Sequence, residues 1–258
     1  MNLYLKYMKV HFMSQMAYKT SFVLLSIGQF FVPFMIFISM ILLFQRFDTL
    51  MGWELYEVTL CYSVIHMAFS ISECFARGFD AFSHLIRTGQ FDRLMVRPRS
   101  TLLQVLGSKF EFTRVGRFLQ SIVVLVVSLL NLNLSFDPLK VLTLILMISC
   151  GVLVFTGIYI LGATLCFFTI EGIEIINIFT DGGREMAQYP LGIYKKWVQK
   201  FFTFVIPFGM INYYPLMYIL DKSQKVWYCF LPLTGLLFLI PCFILWQFGV
   251  KRYKSTGS

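Results

Sequence analysis

Five charged residues lie close together in an otherwise apolar stretch, FFTIEGIEIINIFTDGGREMAQYP: Glu171, Glu174, Asp181, Arg184 and Glu185. In a helix, Glu171 and Glu174 share a face, and Asp181 can pair with Arg184 three residues on. A charge inside hydrocarbon is costly, so within a membrane such residues line a pathway or couple moving parts. At the membrane surface the same residues cost little and need no function. Spacing alone leaves both readings open. Gly182-Gly183 marks a bend or a close helix approach in the same stretch.

Other reactive constellations are missing. His11, His66 and His84 are far apart and lack metal-ligand spacing. His66 sits in an apolar run, where a packed, hydrogen-bonded imidazole is the simpler expectation. Cys61, Cys74, Cys150, Cys166, Cys229 and Cys242 form no CxxC pair and read as small buried hydrophobes. No Gly-x-Ser-x-Gly or His-Glu-x-x-His occurs. Gly107-Ser108-Lys109 has the wrong order for a phosphate-cradling loop and lacks its upstream glycine. The sequence therefore assigns this chain no catalytic residue, no metal site and no cofactor, and predicts that it is not an enzyme. Active transport by it needs free energy from elsewhere.

The elements that position these charges follow from composition. Of 258 residues, 58% are hydrophobic and 14% charged, against roughly 45–50% and 25% in a soluble domain. A helix needs about 20 apolar residues to cross a bilayer. Uncharged runs at 20–45, 118–136, 141–170 and 226–250 meet or approach that length, and 58–72 does if Glu54 and Glu57 lie at its outer end. Residues 171–225 are harder to divide. Six alternating spans with the N-terminus inside put Lys6, Lys9, Lys19, Lys251, Arg252, Lys254 and the basic residues of 77–117 on the cytoplasmic side. Arg46, Lys140, Lys222 and Lys225 remain outside. The net charge of +9 thus records orientation and does not point to nucleic acid. The expectation is an all-α, multi-pass plasma-membrane protein, one transmembrane domain over 1–258, with both termini cytoplasmic. Residues 1–22 carry no removable signal pattern. Leu3, Tyr7, Val10, Met13 and Ala17 follow helical spacing, which suits an amphipathic helix over 1–20 lying on the membrane face. An ordinary basic flank of the first span accounts for them equally well. The 29 phenylalanines read as lipid-facing and packing bulk.

The largest polar piece is the cytoplasmic loop 73–117, containing ARGFDAFSHLIRTGQFDRLMVRPRS. Phe79, Phe82, Leu85 and Ile86 share one helical face. Gly89 suits the end of that helix, and Arg97-Pro98 prevents its continuation. Lipid, another part of the chain or a partner's groove has to cover the apolar face.

GQFDRLMVRP, with Gly89, Asp92, Leu94 and Pro98, resembles the loop of the ABC-2 type permeases, the membrane subunits of ATP-binding-cassette exporters. QYPLGIYKKWVQKFFTFVIPFGMINYYP and the terminal YKSTGS extend the resemblance along the chain. The resemblance implies six transmembrane helices per subunit and a pathway formed by two permeases, identical or related. It implies a coupling helix at about 79–88 that docks on a separate ATPase, with Phe79, Phe82, Leu85, Ile86, Arg87, Gly89, Asp92, Arg93 and Arg97 as the docking residues. ATP and Mg would be bound by that partner, and the N-terminal helix would lie beside the docking site. The resemblance also favours residues 171–189 as the fifth span, followed by an outer re-entrant hairpin over 190–220; hydropathy alone prefers 201–220 as that span. Glu171, Glu174, Asp181 and Arg184 are then candidate pathway or coupling charges. A stand-alone secondary transporter or channel is the competing class, but its expected inverted repeat is not evident.

Overall fold

The structure is a computed structural model that describes residues 2–132, 134–135, 137–169 and 172–254; for residues 2 and 172–176 it describes the backbone alone. Twelve α-helices form among the described residues: α1 Asn2–Met16, α2 Lys19–Arg46, α3 Leu55–Asp80, α4 Phe82–Arg87, α5 Gln90–Met95, α6 Thr101–Leu106, α7 Val115–Asn131, α8 Pro138–Leu165, α9 Gly172–Ala187, α10 Lys196–Phe204, α11 Tyr214–Ile219 and α12 Thr234–Arg252. No strand accompanies them beyond an isolated Leu50–Trp53 bridge. The all-α expectation is met.

Among the described residues five helices are long and apolar enough to cross a membrane, or six if one bent pair is counted as a span. That pair, Lys196–Phe204 and Gly209–Ile219, turns through 86° at a break containing Pro207. Proline removes a helical hydrogen bond and its ring clashes with the preceding turn, and one turn of π-helix at Gly209–Tyr213 follows. Within 171–189 the described residues form the helix Gly172–Ala187. Pro190 cuts it off.

Helix α3 is the central pillar, with α7 and α8 packed along it and α2 and α9 beside it; α12 packs against α8. Two apolar clusters result. One, around Trp53, Tyr62 and Leu216, lies at the end of the bundle where α3 begins. The other, around Phe69, Phe82, Phe155 and Trp246, lies where α3 and α12 end. The first end is fastened by polar contacts. Lys222 donates to Glu57 at 2.5 Å and to the Gly52 carbonyl at 3.0 Å, and Lys140 pairs with Asp221 at 2.6 Å.

Helix α1 packs its Tyr4, His11 and Gln15 face on the chain just before α7. Gln15 donates to the Phe110 carbonyl at 2.7 Å and accepts from the Phe112 amide at 3.2 Å, and Tyr4 and His11 lie against the Phe110 ring. Val10, Met13 and Ala17, of the apolar set Leu3, Tyr7, Val10, Met13 and Ala17, lie off this packed face and are exposed. Specific hydrogen bonding by Gln15, invisible to an apolar-spacing argument, sets the rotation.

Candidate functional site

Two constellations carry the polar and aromatic side chains of interest, and α3 contributes to both. The first is the 73–117 loop. After Asp80 the chain breaks, forms the short α4, reverses at Gly89 and forms α5. Gly89 has φ +64°, the left-handed conformation that glycine adopts without strain. Gly78 gives α6 its seat, since a Cβ there would overlap the Val105 carbonyl oxygen. Gln104 ties the return segment by donating to the Leu94 and Arg99 carbonyls at 3.0 and 3.1 Å.

Another part of the chain covers the apolar face of this loop. Phe79, Phe82 and Ile86 are buried, and Leu85 packs partly buried against them. The Phe82 ring lies 5.0 Å from Phe91, 5.1 Å from Phe167 and 5.1 Å from Trp246. Phe91 in turn meets Tyr253 at 5.1 Å. These edge-on and tilted arrangements suit the aromatic quadrupole and join the loop to the last turns of α12 and to the segment after α8. Asp92 faces the same tyrosine, and burial together with that carboxylate pushes the Tyr253 phenol up to about 12. Gly89 and Asp92 are half-buried, whereas Arg87, Arg93 and Arg97 are exposed.

The second constellation runs across the bundle. Tyr62, His66, Phe69 and Glu73 follow at four- and three-residue steps along one face of α3. Glu73, which is buried, pairs with Arg117 of α7 and lies 3.5 Å from Arg114 and 3.3 Å from Arg77. Arg114 also bonds Gln29 of α2 at 2.6 Å and Glu111 at 2.7 Å. Burial raises the Glu111 carboxyl, but Arg77, Lys109 and Arg114 together hold it below the usual carboxylate range. The Phe69 ring receives two guanidinium groups, Arg184 of α9 at 4.8 Å and Arg117 at 5.3 Å. Arg184 pairs with Asp181 at 3.3 Å and with Glu185. Glu185 accepts from the Gln188 amide at 2.6 Å, and the Gln188 carbonyl meets His66 Nε2 at 3.1 Å. That carbonyl can only accept, so Nε2 carries the imidazole hydrogen. The His66 ring stacks on Tyr62 at 4.0 Å, and the Tyr62 hydroxyl donates to the Pro33 carbonyl of α2 at 2.8 Å. One polar chain thus links α2, α3, α7 and α9.

The predicted α9 charges divide. Arg184 is withdrawn, its side chain 12% exposed, while Asp181 at 58% and Glu185 at 44% face outward. Glu171 and the side chain of Glu174 lie outside the described residues. The Glu73–Arg114–Arg117 hub was not singled out from sequence, because those residues sit at the ends of uncharged runs and look like loop. Their signal was the spacing of Glu73 from Tyr62, His66 and Phe69. Among the described residues no cluster of three side chains suits a metal ion.

The family model described as ABC-2 family transporter protein matches residues 30–257. No curated protein and no solved structure matches the chain. The chain belongs to the ABC-2 transporter family, and it is a membrane protein of transport.

Proposed function

We propose that this ABC-2 family protein is the membrane-spanning permease subunit of an exporter, working as a pair of permeases and driven by separate ATPase subunits docked on the 73–117 loop. One observation carries the reading. The loop's apolar face is locked to α12 and the end of α8 through Phe82, Phe91, Phe167, Trp246 and Tyr253, while Arg87, Arg93 and Arg97 are exposed. A body attached to those arginines moves the loop as a unit, and the aromatic cluster passes the movement into two long helices. Phe79, Phe82, Leu85 and Ile86 then anchor the docking element, and Arg87, Arg93 and Arg97 touch the partner. ATP and Mg belong to that partner, whose hydrolysis alternates the pathway between its two openings.

Orientation follows the basic residues: the loop and both termini face the cytoplasm, and the membrane is the plasma membrane. Residues 171–189 form the fifth crossing, and α10 and α11 form a re-entrant hairpin on the outer side. In support, the Phe201 ring of α10 lies 6.3 Å from Phe179 in the middle of α9, and the chain returns to Asp221 and Lys222 beside Glu57 and Lys140. Irregular backbone at membrane depth is tolerated where protein buries it. Asp181 and Glu185, exposed on α9, cannot face lipid without large cost; they line the aqueous path between two permeases.

The test is purification of the tagged chain from its native membranes, with subunits identified by mass spectrometry. The expected result is two permeases with two subunits bearing a Gly-x-x-x-x-Gly-Lys-Ser/Thr loop. A chain that purifies without any such subunit and moves solute on an ion gradient alone would overturn the proposal.

A further inference from the structure

Along the bundle, α8, α9, α10 and α12 leave an apolar slot of about 370 Å³ between them. Phe238 of α12 lines it and sits close against α8, since a Cβ at Gly157 would lie 2.9 Å from that ring. Phe179 and Phe201, 6.3 Å apart, bring α9 and α10 to another wall. Among the described residues the slot's only polar side chain is Thr164, whose hydroxyl donates to the Ile160 carbonyl at 2.8 Å. Phe168 and Phe248, 6.2 Å apart and both exposed, stand where α12 approaches its end. Phe238, Pro241, Leu245, Phe248 and Arg252 follow at three- and four-residue steps and so form one stripe of α12. Phe238 to Phe248 is ten residues, about 15 Å of helix, half of a hydrocarbon core of about 30 Å. The stripe finishes in a cation. The Arg252 guanidinium lies 4.4 Å over the Phe248 ring. Arg252 is exposed and has no ion pair among the described residues. Lys251 and Lys254 beside it are exposed too.

We infer that this slot holds one acyl chain of an anionic phospholipid, whose phosphate sits on Arg252 at the end of α12. The stripe requires two chemistries in one molecule: an alkyl chain as long as one leaflet is deep, and an anion just beyond its end. Spread over about 15 Å, the slot is about 25 Å² in cross-section, wide enough for an extended alkyl chain and too narrow for an α-helix about 10 Å across. A segment of another protein therefore does not fit where an acyl chain does. Charge selects the head. A guanidinium fork matches phosphate oxygens, and basic residues at a membrane surface draw anionic lipids. None of the residues involved belongs to the 73–117 loop, and the site stands whether or not an ATPase drives the chain.

The experiment is native mass spectrometry of the full-length chain, purified in detergent and offered phosphatidylglycerol and phosphatidylcholine with identical acyl chains. The expected result is one phosphatidylglycerol retained per chain, at least about fivefold over phosphatidylcholine. Arg252→Gln abolishes that preference. Leu165→Trp combined with Leu245→Trp fills the slot and removes both lipids, whereas Ile240→Trp, at an exposed position outside the slot, changes neither. A phosphatidylglycerol carrying a photoreactive group at its chain end labels α8 or α12 near Leu161 and Phe238. Equal retention of the two lipids, a preference that survives Arg252→Gln, or label spread along α2 overturns the inference. So does a disulfide between two copies carrying Leu245→Cys in native membranes, which would make the slot an interface between copies of this chain. None of these outcomes bears on the ATPase-driven reading.

Discussion

Replacing Phe82 with alanine removes a fully buried ring that touches Phe91, Phe167 and Trp246 at about the same distance. Helix α3 has 26 residues, about 39 Å long, so its end projects beyond a hydrocarbon core of about 30 Å. With the 73–117 loop in the cytoplasm, as proposed above, the cluster around Phe82 is buried against water, and the hydrophobic effect applies to it in full. Three rigid aromatic neighbours held by separate elements cannot collapse into the space left behind. The cost belongs at the usual level for a core Phe→Ala change, about 3–5 kcal/mol. At about 2–4 °C per kcal/mol for a chain of this size, the melting temperature falls by about 6–20 °C. The protein carries its own reporter for this: Cys61, Cys150, Cys166, Cys229 and Cys242 are free and buried, so a thiol-reactive fluorophore added to the purified chain lights up on unfolding. Phe82→Leu keeps most of the apolar volume and costs less than about 1.5 kcal/mol. Val96→Asp, at an exposed position after α5, stays within about 0.5 kcal/mol. Melting of Phe82→Ala at the temperature of the unsubstituted chain would refute the idea that this ring fastens the loop to α12 and α8.

Glu73→Ala leaves Arg117 without its buried counter-charge and destabilises by about 3–5 kcal/mol; Glu73→Leu combined with Arg117→Met recovers most of that loss, and melting curves of the single and double variants check it. Asp181→Cys reacts with a membrane-impermeant thiol reagent in the assembled protein, because the side chain faces water; protection equal to that of Cys150 would place it against packed protein or lipid. Lys196→Cys is labelled by the same reagent added to the outside of intact cells if α10 and α11 form an outer hairpin; labelling only after the cells are opened would put α10 at the cytoplasmic surface. Because Glu111 titrates below the usual carboxylate range in the fold, its stabilising contribution is present above about pH 4.3 and is lost as pH falls through the lowered folded value. Protease cleavage between α6 and α7 should therefore rise in acid, and Glu111→Gln should flatten that pH dependence.

The long apolar runs were readable from sequence because lipid demands them: α2, α7, α8 and α12 lie where uncharged stretches stood. Gly89 was readable as a helix end because only its conformation suits that reversal. The covering of Phe82 was not, since three occupants were open, and the choice depended on Trp246, Phe167 and Tyr253 arriving from remote parts of the chain. Glu73 illustrates the same limit more sharply. Its role comes from Arg114 and Arg117, about forty residues away on another helix, and neighbours of that kind leave no local pattern. Over 201–220, hydropathy read one continuous apolar segment, while the chain bends by 86° between Lys196–Phe204 and Gly209–Ile219, at a break containing Pro207.

The central claim is that an ATPase bound to the 73–117 loop drives this permease. The most direct measurement is ATP turnover by the complex purified from native membranes and placed in lipid bilayers, compared with the same preparation carrying Arg93→Glu and Arg97→Glu. Vanadate-sensitive hydrolysis is the expected result in the first. In the second, both the ATPase subunit and the hydrolysis are lost, with the melting temperature unchanged. Full hydrolysis with the ATPase still bound after the charge reversal would contradict it.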